Sequence, residues 1–211
     1  MTPEQLTRQQ QRVMEVVNAS FRARQDIDRA LREIDRRALN AMVLVKKHGN
    51  ALAGYGVVAQ AFRERAALLR ESASHLQENI APLIEAQMRI LQQQRLLQNF
   101  AQVENTHGTN LRAQCAGLLT TRRAWDKSVA AEQENARRIL RQLLEEVRIL
   151  QEGVEEQEYV VTSGRIEAAL VEASGVPLMR VSRDMGEAVR IVARAVRDYR
   201  QQLERLQDES D

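Results

Sequence analysis

Proton transfer near neutral pH and metal ligation both draw first on histidine, and this chain has three: His48, His75 and His107. None has a second histidine one helical turn away, the spacing that two imidazoles need to grip one metal ion from a single helix. Cys115 is the only cysteine, so no intramolecular disulfide and no cysteine-based zinc site can be built. The 29 acidic residues are scattered along what read as helix exteriors, with no paired general acid and base. There is no glycine-rich phosphate loop after a strand, no His-Glu-x-x-His and no Gly-x-Ser-x-Gly. The sequence predicts no catalytic residue, no metal, no cofactor, and hence no enzyme. What remains is contact chemistry, and it concentrates at one bend.

That bend is the knot of small residues Gly49-Asn50-Ala51-Leu52-Ala53-Gly54, entered and left by apolar-periodic runs. Glycine loses the most backbone freedom in a helix and readily takes positive φ, so Gly49 and Gly54 bracket the turn of a helical hairpin. Composition agrees with long helices. Of 211 residues 28% are charged and 3% aromatic, with three Pro and nine Gly, the balance of a chain that keeps winding. The net charge of +2 comes from 31 basic and 29 acidic residues, which lace solvated helix faces and leave no nucleic-acid footprint. No apolar run approaches the roughly 20 residues needed to cross a bilayer. Met1-Thr2-Pro3-Glu4-Gln5 lacks the basic start and apolar block of a secretory signal. The expected location is the cytoplasm, without membrane insertion.

The stretch from Ala38 to Ala66 resembles the cytoplasmic signalling hairpin of bacterial methyl-accepting chemotaxis proteins. Ala38-Leu39-Asn40-Ala41, Gly49, Gly54, Val57-Val58-Ala59, Arg63 and Ala66 fall on that tip without a gap, with Tyr55 where the family has Phe and Lys47 where it has Arg. Leu44, Asn50 and Ala61 replace three family carboxylates. The resemblance implies an antiparallel hairpin whose tip contacts a histidine kinase, a coupling protein or other chemoreceptors. Asn40, Leu44, Lys47, Asn50, Tyr55 and Val57 would carry that contact. The family's methylation pattern is approached at Gln77-Glu78-Asn79-Ile80-Ala81, where Pro82 stands in place of the hydroxyl residue. The lost acids imply altered partners.

Elements that must hold the bend follow from periodicity. A first helix, capped by Thr2 with Pro3 at its first position, should run to about Lys47 or His48. Its seam is Val13, Val17, Ser20, Arg24, Ile27, Leu31, Ile34, Ala38, Ala41 and Val45, the 3.5-residue repeat of a coiled coil. Arg24 interrupts it, its stem along the groove and its guanidinium in water. A second helix shows Val58, Phe62, Leu69, Leu76, Leu83, Ile90, Leu97 and Phe100, and Pro82 predicts a kink. Arg65, Ser72, Asn79 and Gln93 either fix register inside this seam or sit at its margin. Asn105 to Asn110 reads as a connecting loop. A third helix carries Trp125, Val129, Ala136, Ile139, Leu143, Leu150, Val154, Val161 and Ala168, reaching as far as Ala173. Ser174-Gly175-Val176-Pro177 is the second bend, and a fourth helix follows with Leu178, Val181, Met185, Ala188, Val192, Ala195, Tyr199, Leu203 and Leu206.

The expected fold is all-α: two long antiparallel hairpins, residues 1–104 and 111–211, joined at 105–110 into a single elongated four-helix domain. The segment Ala168 to Ser174 distantly resembles the same family tip, so the second hairpin reads as a degenerate copy of the first. Such a chain would be a soluble signalling or adaptor protein, monomeric or a homo-oligomer. A scaffolding bundle without kinase contact is the alternative.

Overall fold

The computed structural model describes residues 3–107, 116–171 and 175–208. These form four helices, and no strand occurs among the described residues: α1 (Pro3–His48), α2 (Ala53–His107), α3 (Ala116–Leu170) and α4 (Val176–Asp208), with a 3₁₀ turn at Gly49–Leu52. The fold is all-α, as the periodicity predicts. α2 continues to His107, past the expected loop start at Asn105; residues 108–110 lie outside the described residues, as does Cys115. Likewise α3 ends at Leu170, before the expected limit at Ala173.

Two compact units divide the chain, and neither follows the boundary between hairpins. One comprises Met1–Asn18, Asn79–Leu143 and Gln202–Asp211; the other comprises Ala19–Glu78 and Leu144–Gln201. Each therefore takes a segment from all four helices. The hydrophobic effect explains this grouping: a helix with one apolar face must bury it against neighbours along its whole length, so packing units form across helices.

The second unit is an antiparallel four-helix packing, which its contacts establish pair by pair. Arg63 Nε meets Asp35 Oδ1 at 3.1 Å and Gly56 faces Val45, tying α2 to α1. Arg65 pairs with Glu156, Gln157 Nε2 donates to the Phe62 carbonyl at 3.2 Å, and Leu69 lies against Gly153, tying α2 to α3. Arg200 reaches Gln151 Oε1 at 2.8 Å and Gly186 faces Val161, tying α3 to α4. Arg37 Nη1 closes the ring on Asp184 at 2.6 Å, between α1 and α4. In each of the first three pairs one residue number rises as the other falls. The ionic contacts lie on partly exposed rims and contribute little energy; they select register.

The core of this unit includes Ile27, Leu31, Ile34, Ala38 and Ala41 on α1 and Tyr55, Phe62, Ala66 and Leu69 on α2. Leu150, Val154, Val161 and Ala168 come from α3, and Leu178, Met185, Val189, Val192 and Tyr199 from α4. Arg24 is exposed, 3.8 Å from Asp28, and the α1 seam passes through Ala23 instead. Arg65 and Ser72 lie at the margin of the α2 seam, the second of the two placements open to them.

In the first unit α1 contributes Val13 and Val16, α2 Ile80, Leu83, Ala86, Ile90 and Leu91, and α3 Val129, Ala136, Ile139, Leu140 and Leu143, with Leu203 and Leu206 of α4. Here Arg89 meets Glu132 at 3.2 Å and Gln93 Nε2 donates to Ser128 Oγ at 2.8 Å. Trp125 packs edge-on against Phe100, with centroids 6.2 Å apart and planes at 87°. This is the attractive geometry for two quadrupoles, the positive edge of one ring meeting the negative face of the other. Pro82 lies within α2, which continues through it.

The second hairpin repeats the burial pattern of the first at a constant offset of 123 residues, the separation of Tyr55 and Leu178. Ile27, Leu31, Ala38 and Ala41 correspond to Leu150, Val154, Val161 and Gly164, all buried. Val58, Phe62, Ala66, Leu69, Ala73 and Leu76 correspond to Val181, Met185, Val189, Val192, Val196 and Tyr199, again all buried. In the other unit Val13, Val16, Ile80 and Leu83 correspond to Ala136, Ile139, Leu203 and Leu206. The register carries through the turns, since α2 begins at Ala53 and α4 at Val176. Few of these residues are identical, so the repeat is one of packing position.

Candidate functional site

Both bends lie at one end of the second unit. The Glu167 carboxylate sits where a side chain on Gly54 would project, and the Tyr55 hydroxyl reaches the backbone of Leu178. The described glycines of the two bends differ in role. Gly49 takes φ of 67°, which an L-residue with a Cβ adopts at a cost. Gly175 instead lies so close to the Ala168 carbonyl that a Cβ has no room. Its counterpart in the repeat is Leu52, which is buried. Lys46, Lys47 and His48 occupy the last turn of α1, where cations offset the negative pole of the helix.

The residues expected to carry a contact separate into two groups. Asn40, Lys47 and Val57 are exposed, Val57 at 73%, and Leu44 is half-buried. Asn50 lies within the 3₁₀ turn, and its side chain is outside the described set. Gly54, read as the far side of the bend, is already inside α2. Tyr55 is corrected: its side chain is buried at 1% exposure and offers no surface. Its hydroxyl lies 2.7 Å from Ser182 Oγ and donates toward the Leu178 carbonyl at 3.2 Å. A phenol in a helical core needs a polar partner, and the second hairpin supplies it with a fully buried serine. Burial raises the Tyr55 pKa above the ordinary phenol value, opposed by the Ser182 hydrogen bond. Gly164 makes room for this pair: a Cβ there would come 2.9 Å from Ser182 Oγ.

Sequence periodicity did not single out the rest of the exposed surface. Leu39 and Val43, one turn apart on α1, are 51% and 61% exposed. Met42, Val43, Val45, Lys46 and Gly56 line a shallow groove of about 290 Å³ between α1 and α2. On the second hairpin Ile166, Leu170 and Val176 are exposed at 57%, 72% and 70%. Apolar residues facing water off the seam were a usable signal, since Val43 falls between the seam positions Ala41 and Val45. Groups of His, Cys, Asp and Glu able to hold a metal do not occur among the described residues. Among the described residues no helix is long and apolar enough to cross a membrane.

No family model matches this chain, and no curated protein or solved structure matches it. The bend end is read from its own geometry. It offers contact surface: apolar side chains in water, a groove and a short cationic run.

Proposed function

We propose that this chain is a signalling or adaptor protein of the cytoplasm that docks a protein partner through the bend of its first hairpin. The partner class suggested by the tip resemblance is a chemotaxis-type histidine kinase, its coupling protein or a chemoreceptor array. One observation carries the reading: Val43 is mostly exposed on the wall of a groove at the end where the chain turns, and Val57, next in sequence to the groove residue Gly56, is exposed as well. An exposed apolar patch rimmed by polar residues is a mark of an interaction surface. Leu44 and Asn50 stand where the resembling tips carry carboxylates, so the partner surface is altered from that of an ordinary receptor.

Capture on immobilised kinase and coupling protein tests the proposal. The full chain should be retained, and Val57→Asp should weaken retention roughly tenfold or more, the effect of losing an interface anchor. Leu44→Glu reports whether the altered tip sets partner choice, through a change in retention. A chain that binds neither protein is a scaffolding bundle, and the functional proposal then fails.

A further inference from the structure

We propose that the two hairpins are a matched, heterotypic pair: the inner face of each fits the opposite hairpin, of its own chain or of a second copy, and rejects its own like. This is independent of the docking reading, since it concerns faces that meet inside the packing units.

The repeat makes self-pairing the natural competitor. With buried apolar positions matching 123 residues apart, two first hairpins, or two second hairpins, would present nearly the same seam to each other. Apolar burial is non-directional and selects neither arrangement. Discrimination then needs contacts that one arrangement satisfies and the others leave unpaired or crowded.

Charge supplies the first of these. Three ion pairs join the hairpins: Arg37 with Asp184, Arg65 with Glu156 and, in the other unit, Arg89 with Glu132. In all three the cation belongs to the first hairpin and the carboxylate to the second. The first-hairpin equivalents of Asp184 and Glu132 are Ala61 and Gln9, so Arg37 and Arg89 would lose their carboxylates in a first–first pair. Glu33, the equivalent of Glu156, is already held by Arg36 and Arg37 on its own helix. In a second–second pair Asp184 and Glu156 would meet Val160 and Ala188, the equivalents of Arg37 and Arg65.

The core adds shape. Tyr55 and Leu178 are equivalent, and the Tyr55 hydroxyl crosses to the Leu178 carbonyl and Ser182 Oγ. Self-pairing would set two tyrosines or two leucines where one of each packs, crowding the first case and leaving space in the second. A Cβ at Gly164 would come 3.2 Å from Val58 Cγ1, and the first-hairpin equivalent of Gly164 is Ala41, which has one. Gln157 donates to the Phe62 carbonyl, whereas its equivalent Ile34 has nothing to donate. A second–second pair would bury that amide twice, and its Oε1 has no partner among the described residues.

The test uses the full chain, folded intact and then cut at a protease site placed at residues 108–110. The cut chain is unfolded in urea and refolded without its covalent link. Native mass spectrometry then reads the three possible pairs, which differ in mass. Expected is reassembly with heterotypic pairs roughly tenfold or more above either self-pair. Failure to reassemble, or self-pairs as abundant as heterotypic ones, overturns the inference. Two sets of variants locate the selection. Glu156→Arg with Asp184→Arg, on partly exposed rims, should lower the heterotypic preference several-fold, and adding Arg37→Glu with Arg65→Glu should restore it. Gln157→Ile with Ser182→Ala, which copies first-hairpin residues into the second, should also lower it, with far-ultraviolet circular dichroism confirming the helices. A preference that neither set changes overturns the inference as well, because apolar packing alone then accounts for the pairing.

Discussion

At the scale of single residues, the tyrosines carry most of what can be measured. Tyr55 and Ser182 form a buried hydroxyl pair whose members depend on each other unequally. Tyr55→Phe should cost about 1–2 kcal/mol, since Ser182 would keep its burial and lose this partner. Ser182→Ala should cost less, because the Tyr55 hydroxyl keeps the Leu178 carbonyl. Urea unfolding of both single variants and the double variant would show the coupling as a double change smaller than the sum. Tyr199 gives a pH signature. Burial, with a smaller contribution from the Glu146 charge, pushes its pKa up to about 12, opposed by the Ser20 hydroxyl. An unfolded phenol titrates near 10. Below that value both states are protonated and the stabilisation is fully present. Above it the unfolded chain loses its proton first, so stability falls as pH rises from about 10 towards about 12. Urea midpoints across this range should decline, and Tyr199→Phe should flatten the decline.

At the scale of elements, glycine placement decides where helices stop and how closely they approach. Gly49 holds φ of 67°, so Gly49→Val should destabilise by about 1–2 kcal/mol through backbone strain alone, with open space around the new side chain. Thermal unfolding of that variant isolates the turn from packing. Gly164 acts by size, sitting against Ser182, Val58 and Phe62. Gly164→Leu should cost about 1–3 kcal/mol by overpacking, and the same substitution at exposed Gly117, which meets nothing nearby, should cost far less. Pro82 shows the opposite case, a helix breaker overridden by its surroundings. Ile80, Leu83 and Ala86 are buried around it, and the apolar face of α2 keeps its phase.

At the scale of the whole molecule, the repeat matters more than any one helix. Two hairpins with matching burial at an offset of 123 residues give one chain the four segments from which each packing unit is made. The polar contacts are asymmetric across that repeat. Arg37 meets Asp184, while the equivalent positions are Val160 and Ala61; Tyr55 meets Leu178 and Ser182, while the residue equivalent to Ser182 is Ala59. The repeat thus preserves most buried apolar positions, with Ile34 against Gln157 an exception, and varies the polar ones on the rims. Leu143, fully buried in the other unit, tests the core directly: Leu143→Ala should cost about 2–5 kcal/mol in chemical denaturation.

The sequence by itself determined the helices, most of their seam positions and the first bend. Periodicity records which face must leave water, and all nine residues assigned to the α4 seam are buried. Gly49 announced the turn because few other residues tolerate its backbone. Packing decided the rest. Tyr55 reads as a surface contact in one dimension, and only the opposing hairpin, with Ser182 placed opposite it, turns it inward. Arg24 falls on an ideal seam, yet a slight rotation of α1 brings Ala23 inside in its place. The exposed group of Val43, Val57 and the Gly56 groove is likewise a product of assembly. Whether an apolar residue faces water depends on which neighbours arrive to cover it, and that is fixed only when distant segments pack.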